Sequence, residues 1–326
     1  MAGGPSTPAL VIAAAEAGAL GMLAAGYKTP EAMASEMDAV RSATDGAFGV
    51  NVFVPGRPTE DPDGVAAYVQ RLKLLAEQLD VTLGEPVWDD DFYDAKVDQL
   101  TAKPPDVVTF TFGCPGAEVI ETLQSKGALV GITVTTPDEA RTAAAHAPDF
   151  LCLQGSEAGA HRGAFVNGDH SGQDVPLRQL LAAAQAITDL PLIAAGGLAT
   201  TTDIGDVLER GATQAQLGTA LLRCTESGAH SLYKAALTDP QFTETAVTRA
   251  FSGRRARSLV NDMVRHYVEV PKAYPEINNA TRPFRAAAAS HGDPQHISLY
   301  AGEGYRMAED GTAGEIIERL TAGLPS

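Results

Sequence analysis

Pro191-Leu192-Ile193-Ala194-Ala195-Gly196-Gly197 and Ala215-Gln216-Leu217-Gly218-Thr219 are the stretches on which the fold turns. Each is a short apolar run that reaches glycine, and they lie about one βα unit apart. Glycine lets backbone N–H groups come close to an anion, and the N-terminus of a following helix adds positive dipole. In a (β/α)8 barrel the loops after the last two strands commonly hold a phosphate. The pair therefore points to a phosphorylated cofactor at the C-terminal mouth of a barrel.

The rest of the chain carries the same rhythm. Buried parallel strands read as short apolar runs between amphipathic helices. Such runs occupy 19–23, 49–53, 107–112, 128–134, 150–154, 192–195 and 215–217. Helical stretches separate them at 8–17, 30–42, 61–79 with 91–103, 115–126, 137–146, 176–188 and 201–210. This alternation predicts an α/β chain folded as a TIM-type (β/α)8 barrel. The runs are one short of a closed barrel. The first strand precedes residue 1, is missing and leaves a gap, or belongs to a unit the pattern hides. The opening Met1-Ala2-Gly3-Gly4-Pro5-Ser6-Thr7-Pro8 reads as a loop entering a helix, with Ser6 or Thr7 as its N-cap. After Leu222 the pattern changes. Residues 225–290 read as mostly helical with no strand run, so 225–299 is expected to form a helical cap or accessory lobe. The barrel is expected to comprise 1–224 and 300–326, with an amphipathic helix over 313–323 returning to its wall.

Composition narrows the partners. The 326 residues carry a net charge of −17, a surface that repels nucleic acid and anionic lipid. Arg254, Arg255 and Arg257 form a basic cluster too small for a nucleic-acid footprint. Cys114, Cys152 and Cys224 are far apart and lack C-x-x-C spacing, so neither a disulfide framework nor a metal site follows. A reducing cytoplasm is the default compartment. The apolar run over 8–15 lacks a basic leader and continues into Glu16, which reads as a barrel helix rather than a signal or membrane segment. Asp89, Asp90, Asp91 and Asp94 read as carboxylates at a helix start. Cys152 reads as a small core residue, and His170 as part of a polar loop without a role.

The loop Gln154-Gly155-Ser156-Glu157-Ala158-Gly159-Ala160-His161-Arg162-Gly163 follows a predicted strand. It sets His161 at the barrel mouth, and histidine is the side chain best suited to proton transfer near neutral pH. Asn51, within Gly49-Val50-Asn51-Val52-Phe53, and Gln154 are amides at strand positions that need partners. Each suits either a structural hydrogen bond or the polar edge of a planar ring.

With these residues in place, the chain resembles the nitronate monooxygenase family, formerly called 2-nitropropane dioxygenases. The likeness runs through Met1–Pro8, Ala24-Ala25-Gly26-Tyr27-Lys28-Thr29-Pro30, Gly49-Val50-Asn51-Val52-Phe53-Val54-Pro55 and the Gln154–Gly163 loop. It continues through Ala195-Gly196-Gly197, Gln216-Leu217-Gly218-Thr219 and Ala250-Phe251-Ser252-Gly253-Arg254, and so spans essentially the whole chain. The resemblance implies an FMN-dependent barrel that oxidises alkyl nitronates with O2 to a carbonyl compound and nitrite. It implies that Asn51, Gln154, Gly159, Gly196, Gly197, Gln216, Leu217, Gly218 and Thr219 bind FMN. Met1, Ala2 and Gly3 would lie near the flavin ring, and His161 would be the catalytic histidine, either as base for neutral nitroalkanes or as a clamp on the anionic nitronate. Two departures stand out: the family usually has a strand ahead of the Met-Ala-Gly-Gly stretch, and many members carry glycine where this chain has Ala160. Two rivals remain: a flavin-dependent enoyl-ACP reductase consuming NADH, and a phosphate-binding barrel without redox chemistry.

Overall fold

The computed structural model describes residues 1–169 and 174–324. His170 lies outside the described residues. Thr7 caps the first helix, α1 (Pro8–Glu16), by accepting from the Leu10 N–H. There follow β1 (Gly21–Ala24), α2 (Pro30–Ala43), β2 (Phe48–Phe53), α3 (Pro62–Gln78), α4 (Tyr93–Ala102) and β3 (Val107–Thr111). Next come α5 (Ala117–Ser125), β4 (Leu129–Val134), α6 (Pro137–Ala144), β5 (Phe150–Gln154) and the two-residue β6 (Ala160–His161). The barrel part continues with α7 (Leu177–Gln185), β7 (Leu192–Ala195), α8 (Thr201–Glu209) and β8 (Gln214–Gln216). Beyond it lie α9 (Ser231–Ala236), β9 (Thr245–Thr248), β10 (Ala256–Leu259), α10 (Asp262–His266), α11 (Glu276–Ser290) and α12 (Ala313–Thr321).

The main sheet has seven parallel strands in the order β1-β2-β3-β4-β5-β7-β8. It is a curled (β/α) sheet of the TIM type lacking one strand, since β8 and β1 do not pair among the described residues. The apolar runs explain the burial. Val50, Val52, Val108, Phe110, Val130, Ile132, Leu151 and Leu153 are fully buried between sheet and helices. At the open side, Leu10 of α1, Ile204 of α8 and Ala313, Ile316 and Leu320 of α12 pack into one cluster. The C-terminal helix thus returns to the barrel wall as its amphipathic pattern predicts. The Met1 amino group donates to Ser6 Oγ at 2.6 Å and folds the first residues into a turn.

Residues 225–290 differ from expectation. They contain α9, α10 and α11, but also β9 and β10, which pair antiparallel with each other and with β6. The strands escape an apolar-run reading because each has four residues and carries polar ones, Thr245 and Thr248 in one and Arg257 and Ser258 in the other. Against this lobe packs α3, whose Tyr68 and Leu72 join Phe251, Ile277 and Phe284 in a second core. Asp94 sits in the first turn of α4, as a helix-start carboxylate should. Asp91 instead turns inward, 2.8 Å from the fully buried Lys96 Nζ. Among the described residues, no helix is long and apolar enough to cross a membrane.

Candidate active site at the barrel mouth

Strand register brings the key loops together. Gln154 pairs with Ala195, and Ala195 with Gln216, so the ends of β5, β7 and β8 lie side by side. Their glycine turns then converge. A Cβ on Gly159 would lie 2.4 Å from Gly302 N, and Gly302 N donates to Thr219 Oγ1 at 3.0 Å. Gly196 and Gly197 both hold positive φ, at +117° and +71°, values that a β-carbon disfavours. The N–H groups of Gly197 and Gly218 make no hydrogen bond within the described residues. Backbone donors left free beside glycines are what an anion requires. Met1 lies at this place too, its Sδ 3.8 Å from where a Gly218 Cβ would stand. Ala2 and Gly3 follow in the same turn, partly or fully accessible to solvent.

Two residues beyond Gly159, His161 occupies β6 opposite Ala256. Its half-buried ring is walled by Phe112, Tyr274 and Tyr300, with centroids 5.9, 5.5 and 5.2 Å away. Tyr274 Oη meets Tyr27 Oη at 2.9 Å, tying the β1–α2 loop to the lobe. His161 Nε2 lies 2.7 Å from Ser252 Oγ. Arg254 is buried, its guanidinium 3.9 Å above the Phe112 ring, and donates to the carbonyls of Arg162 and Ala164. Arg285 of α11 donates to Asn278 Oδ1 at 2.8 Å. Neither arginine has a carboxylate partner among the described residues. Burial first, and then these two cations, pull His161 from 6.5 to about 3.

His161 is therefore neutral when folded and free to charge when unfolded. A group with its folded value depressed below 6.5 adds stability above that pH, and the gain fades as pH falls toward about 3. Between pH 8 and pH 5 this histidine costs the fold about 2 kcal/mol. His161→Asn is expected to lose about 2 kcal/mol less over that interval in urea unfolding; equal losses in both proteins would show that the imidazole is not held neutral.

The two amides are committed to the fold. Asn51 Nδ2 donates to Thr109 Oγ1 and Thr111 Oγ1, both at 2.9 Å, while its Oδ1 has no partner among the described residues. Gln154 spends both ends on the His161 loop: Nε2 donates to His161 O at 3.0 Å, and Oε1 accepts from Gly163 N at 2.7 Å. Gln216 Oε1 accepts from the buried Cys152 thiol at 2.9 Å. Leu217 packs at the edge of the barrel core. Ala160 holds φ +65°, a left-handed conformation costing about 1–2 kcal/mol with a β-carbon. Ala160→Gly is expected to raise unfolding stability by about 1 kcal/mol, net of glycine's entropy; an unchanged or lower urea midpoint would refute the strain.

Sequence reading had no role for Phe112, Ser252, Tyr274, Tyr300 or Gly302, although Ser252 stands inside a recognised stretch. The Gly302-Glu303-Gly304 pair behind Tyr300 was a legible turn signal.

Fold and site define a (β/α) barrel that sets a neutral histidine beside converging glycine turns at its mouth. The sequence model of the nitronate monooxygenase family matches residues 1–323. A nitronate monooxygenase of Pseudomonas aeruginosa is 34% identical over 98% of this chain and 93% of its own. A probable nitronate monooxygenase of Bacillus subtilis is 32% identical, again over 98% and 93%. Among solved structures, the nitroalkane oxidase of Streptomyces ansochromogenes superposes with a TM-score of 0.96, 46% identical over 99% of this chain and 93% of its own. FabK from Thermotoga maritima shares the fold at a TM-score of 0.72 and 25% identity, over 98% and 89%. The chain belongs to the nitronate monooxygenase family and is an oxidoreductase.

Proposed function

We propose that this protein binds FMN and oxidises alkyl nitronates with O2 to a carbonyl compound and nitrite. The observation that carries the reading is the pair of free N–H groups at Gly197 and Gly218, on adjoining strand ends, with Thr219 beginning the next short helix. They suit the phosphate of FMN. Gly159 and Gly302 leave no room for side chains between the turns. Asn51 Oδ1, Gln216 and the Met1-Ala2-Gly3 turn would line the remainder of the cofactor site. Bound flavin would supply the electron acceptance that the oxidation needs.

The chain's own residues supply the rest. Phe112, Tyr274 and Tyr300 wall His161 on three sides and hold its ring in place. Arg254 and Arg285 give the site a positive field that favours an anionic nitronate. Neutral His161 can take the α-proton of a nitroalkane, or donate a hydrogen bond to a nitronate already formed. The three thiols, unpaired in this structure, suit a cytoplasmic setting.

Purified protein is expected to be yellow with flavin absorption, and to consume O2 when given an alkyl nitronate. A colourless protein that cannot be reconstituted with FMN refutes the reading in favour of a non-redox barrel. Rapid bleaching of the flavin by NADH rather than by nitronate refutes it in favour of a reductase.

A further inference from the structure

The turn over 249–253 is anchored from all sides. Ser252 N and Gly253 N both donate to Arg249 O, at 3.1 and 2.8 Å. Tyr68 Oη of α3 donates to Ala250 O at 2.6 Å, and Thr281 Oγ1 of α11 to Phe251 O. Asn167 Nδ2 donates to Gly253 O at 2.9 Å. A Cβ on Gly253, at φ +75°, would lie 2.1 Å from Ala273 O, so the turn sits directly on the backbone ahead of Tyr274. Three elements distant in sequence thus fix one short piece of chain. The hydroxyl this turn presents to His161 belongs to Ser252, which is 1% exposed.

That hydroxyl has one hydrogen and two lone pairs. Arg254 N donates to Ser252 Oγ at 3.3 Å, and Arg254 O lies 3.2 Å away as an acceptor. If the Ser252 hydrogen goes to Arg254 O, Oγ accepts from Arg254 N–H and from His161 Nε2–H, and every valence is used. The opposite assignment strips Arg254 O of its donor. It also places a hydrogen on Nδ1 of His161, for which no acceptor exists among the described residues. The first assignment keeps both backbone groups of Arg254 paired and leaves Nδ1 as a bare nitrogen.

We propose that Ser252 is a positioning residue that fixes His161 in its Nε2–H tautomer and leaves Nδ1 as the nitrogen that takes the substrate proton. The inference rests on the reading of His161 as the base. In that step the α C–H bond of a neutral nitroalkane breaks. Its electron pair becomes the C=N bond of the nitronate as the N=O π pair moves onto oxygen, and the proton passes to Nδ1 while Nε2–H stays on Ser252. The Arg249 turn acts only through the imidazole that it orients.

The test uses the flavin-loaded protein with 15N-labelled histidine. The wild-type His161 signals, assigned by their loss in His161→Ala, are expected to show an unprotonated Nδ1 and a protonated Nε2. Ser252→Ala is expected to mix the tautomers and to lower kcat with nitroethane about 10- to 100-fold. KM is expected to stay within about threefold and flavin content to stay unchanged, because Ser252 holds a base rather than a ligand. Ser252→Thr is expected to restore both tautomer and kcat. A protonated Nδ1 in the wild type overturns the proposal, and so does Ser252→Ala with wild-type kcat. If His161→Ala still turns over nitroethane at the wild-type rate, the base reading falls by itself, and the nitrogen shifts still decide the tautomer.

Discussion

His161→Ala is expected to lower turnover of a neutral nitroalkane by about 100- to 10,000-fold, the range lost when a positioned general base is removed. With the nitronate prepared in advance as the anion, the loss is expected to be smaller, because the proton is already gone. The contrast follows from the site. The imidazole is neutral above about pH 3 and stands among three aromatic walls with two unpaired cations nearby. Such surroundings favour a base that is always ready but disfavour the imidazolium it becomes. Steady-state oxygen uptake with nitroethane and with its nitronate, on protein of equal flavin content, reads both numbers. Equal losses on the two substrates would assign His161 to substrate holding; no loss on either would remove it from the reaction.

Asp91→Ala is expected to cost about 3–5 kcal/mol, the usual consequence of stranding a buried charge. Lys96 has no exposed side-chain surface, and Asp91 Oδ2 lies 2.8 Å from its Nζ. Burial pushes the Asp91 carboxyl up and the Lys96 ammonium down, so desolvation outweighs mutual attraction at both ends of the pair. The pair therefore adds little net stability, yet breaking it is costly. Asp91 Oδ1 also accepts from Tyr27 N at 2.9 Å, and Tyr27 Oη meets Tyr274, a wall of the His161 site. Losing the carboxylate thus frees the β1–α2 loop as well as stranding the lysine. The double change Asp91→Asn with Lys96→Met is expected to recover most of the lost stability, because it removes the stranded charge and asparagine tolerates the left-handed φ of +55° at this position. Chemical unfolding of the three proteins tests this. An Asp91→Ala protein within about 1 kcal/mol of wild type would show that Lys96 is solvated or neutral at no cost.

Much of the scaffold was legible because its signals are local. The runs that became β2, β3, β4, β5 and β7 are rich in Val, Leu, Ile, Phe and Ala, and their predominant burial follows from that composition. Gly196-Gly197 and Gly218 announced tight turns, and β7 and β8 carry them to one edge. Cys152 was readable as a core residue, and the structure buries it. The antiparallel β9 and β10 were not legible, since four mixed residues give no periodicity. The inward turn of Asp91 was also hidden, because a carboxylate near a helix start looks the same whether it meets water or a buried lysine.

By itself, the sequence determined the (β/α) architecture, the glycine turns, the histidine loop and the family, all of which reside in short contiguous patterns or in likeness along the whole chain. Tertiary structure alone decided what surrounds His161: Ser252, 91 positions away, at hydrogen-bond distance; Tyr274 and Tyr300 as its walls; and Arg254 turned inward over Phe112 rather than toward solvent. The reason is physical. Turn chemistry and hydrophobic period act within a few residues, whereas a hydroxyl finds its imidazole only after α3 and α11 have docked and fixed the chain between them.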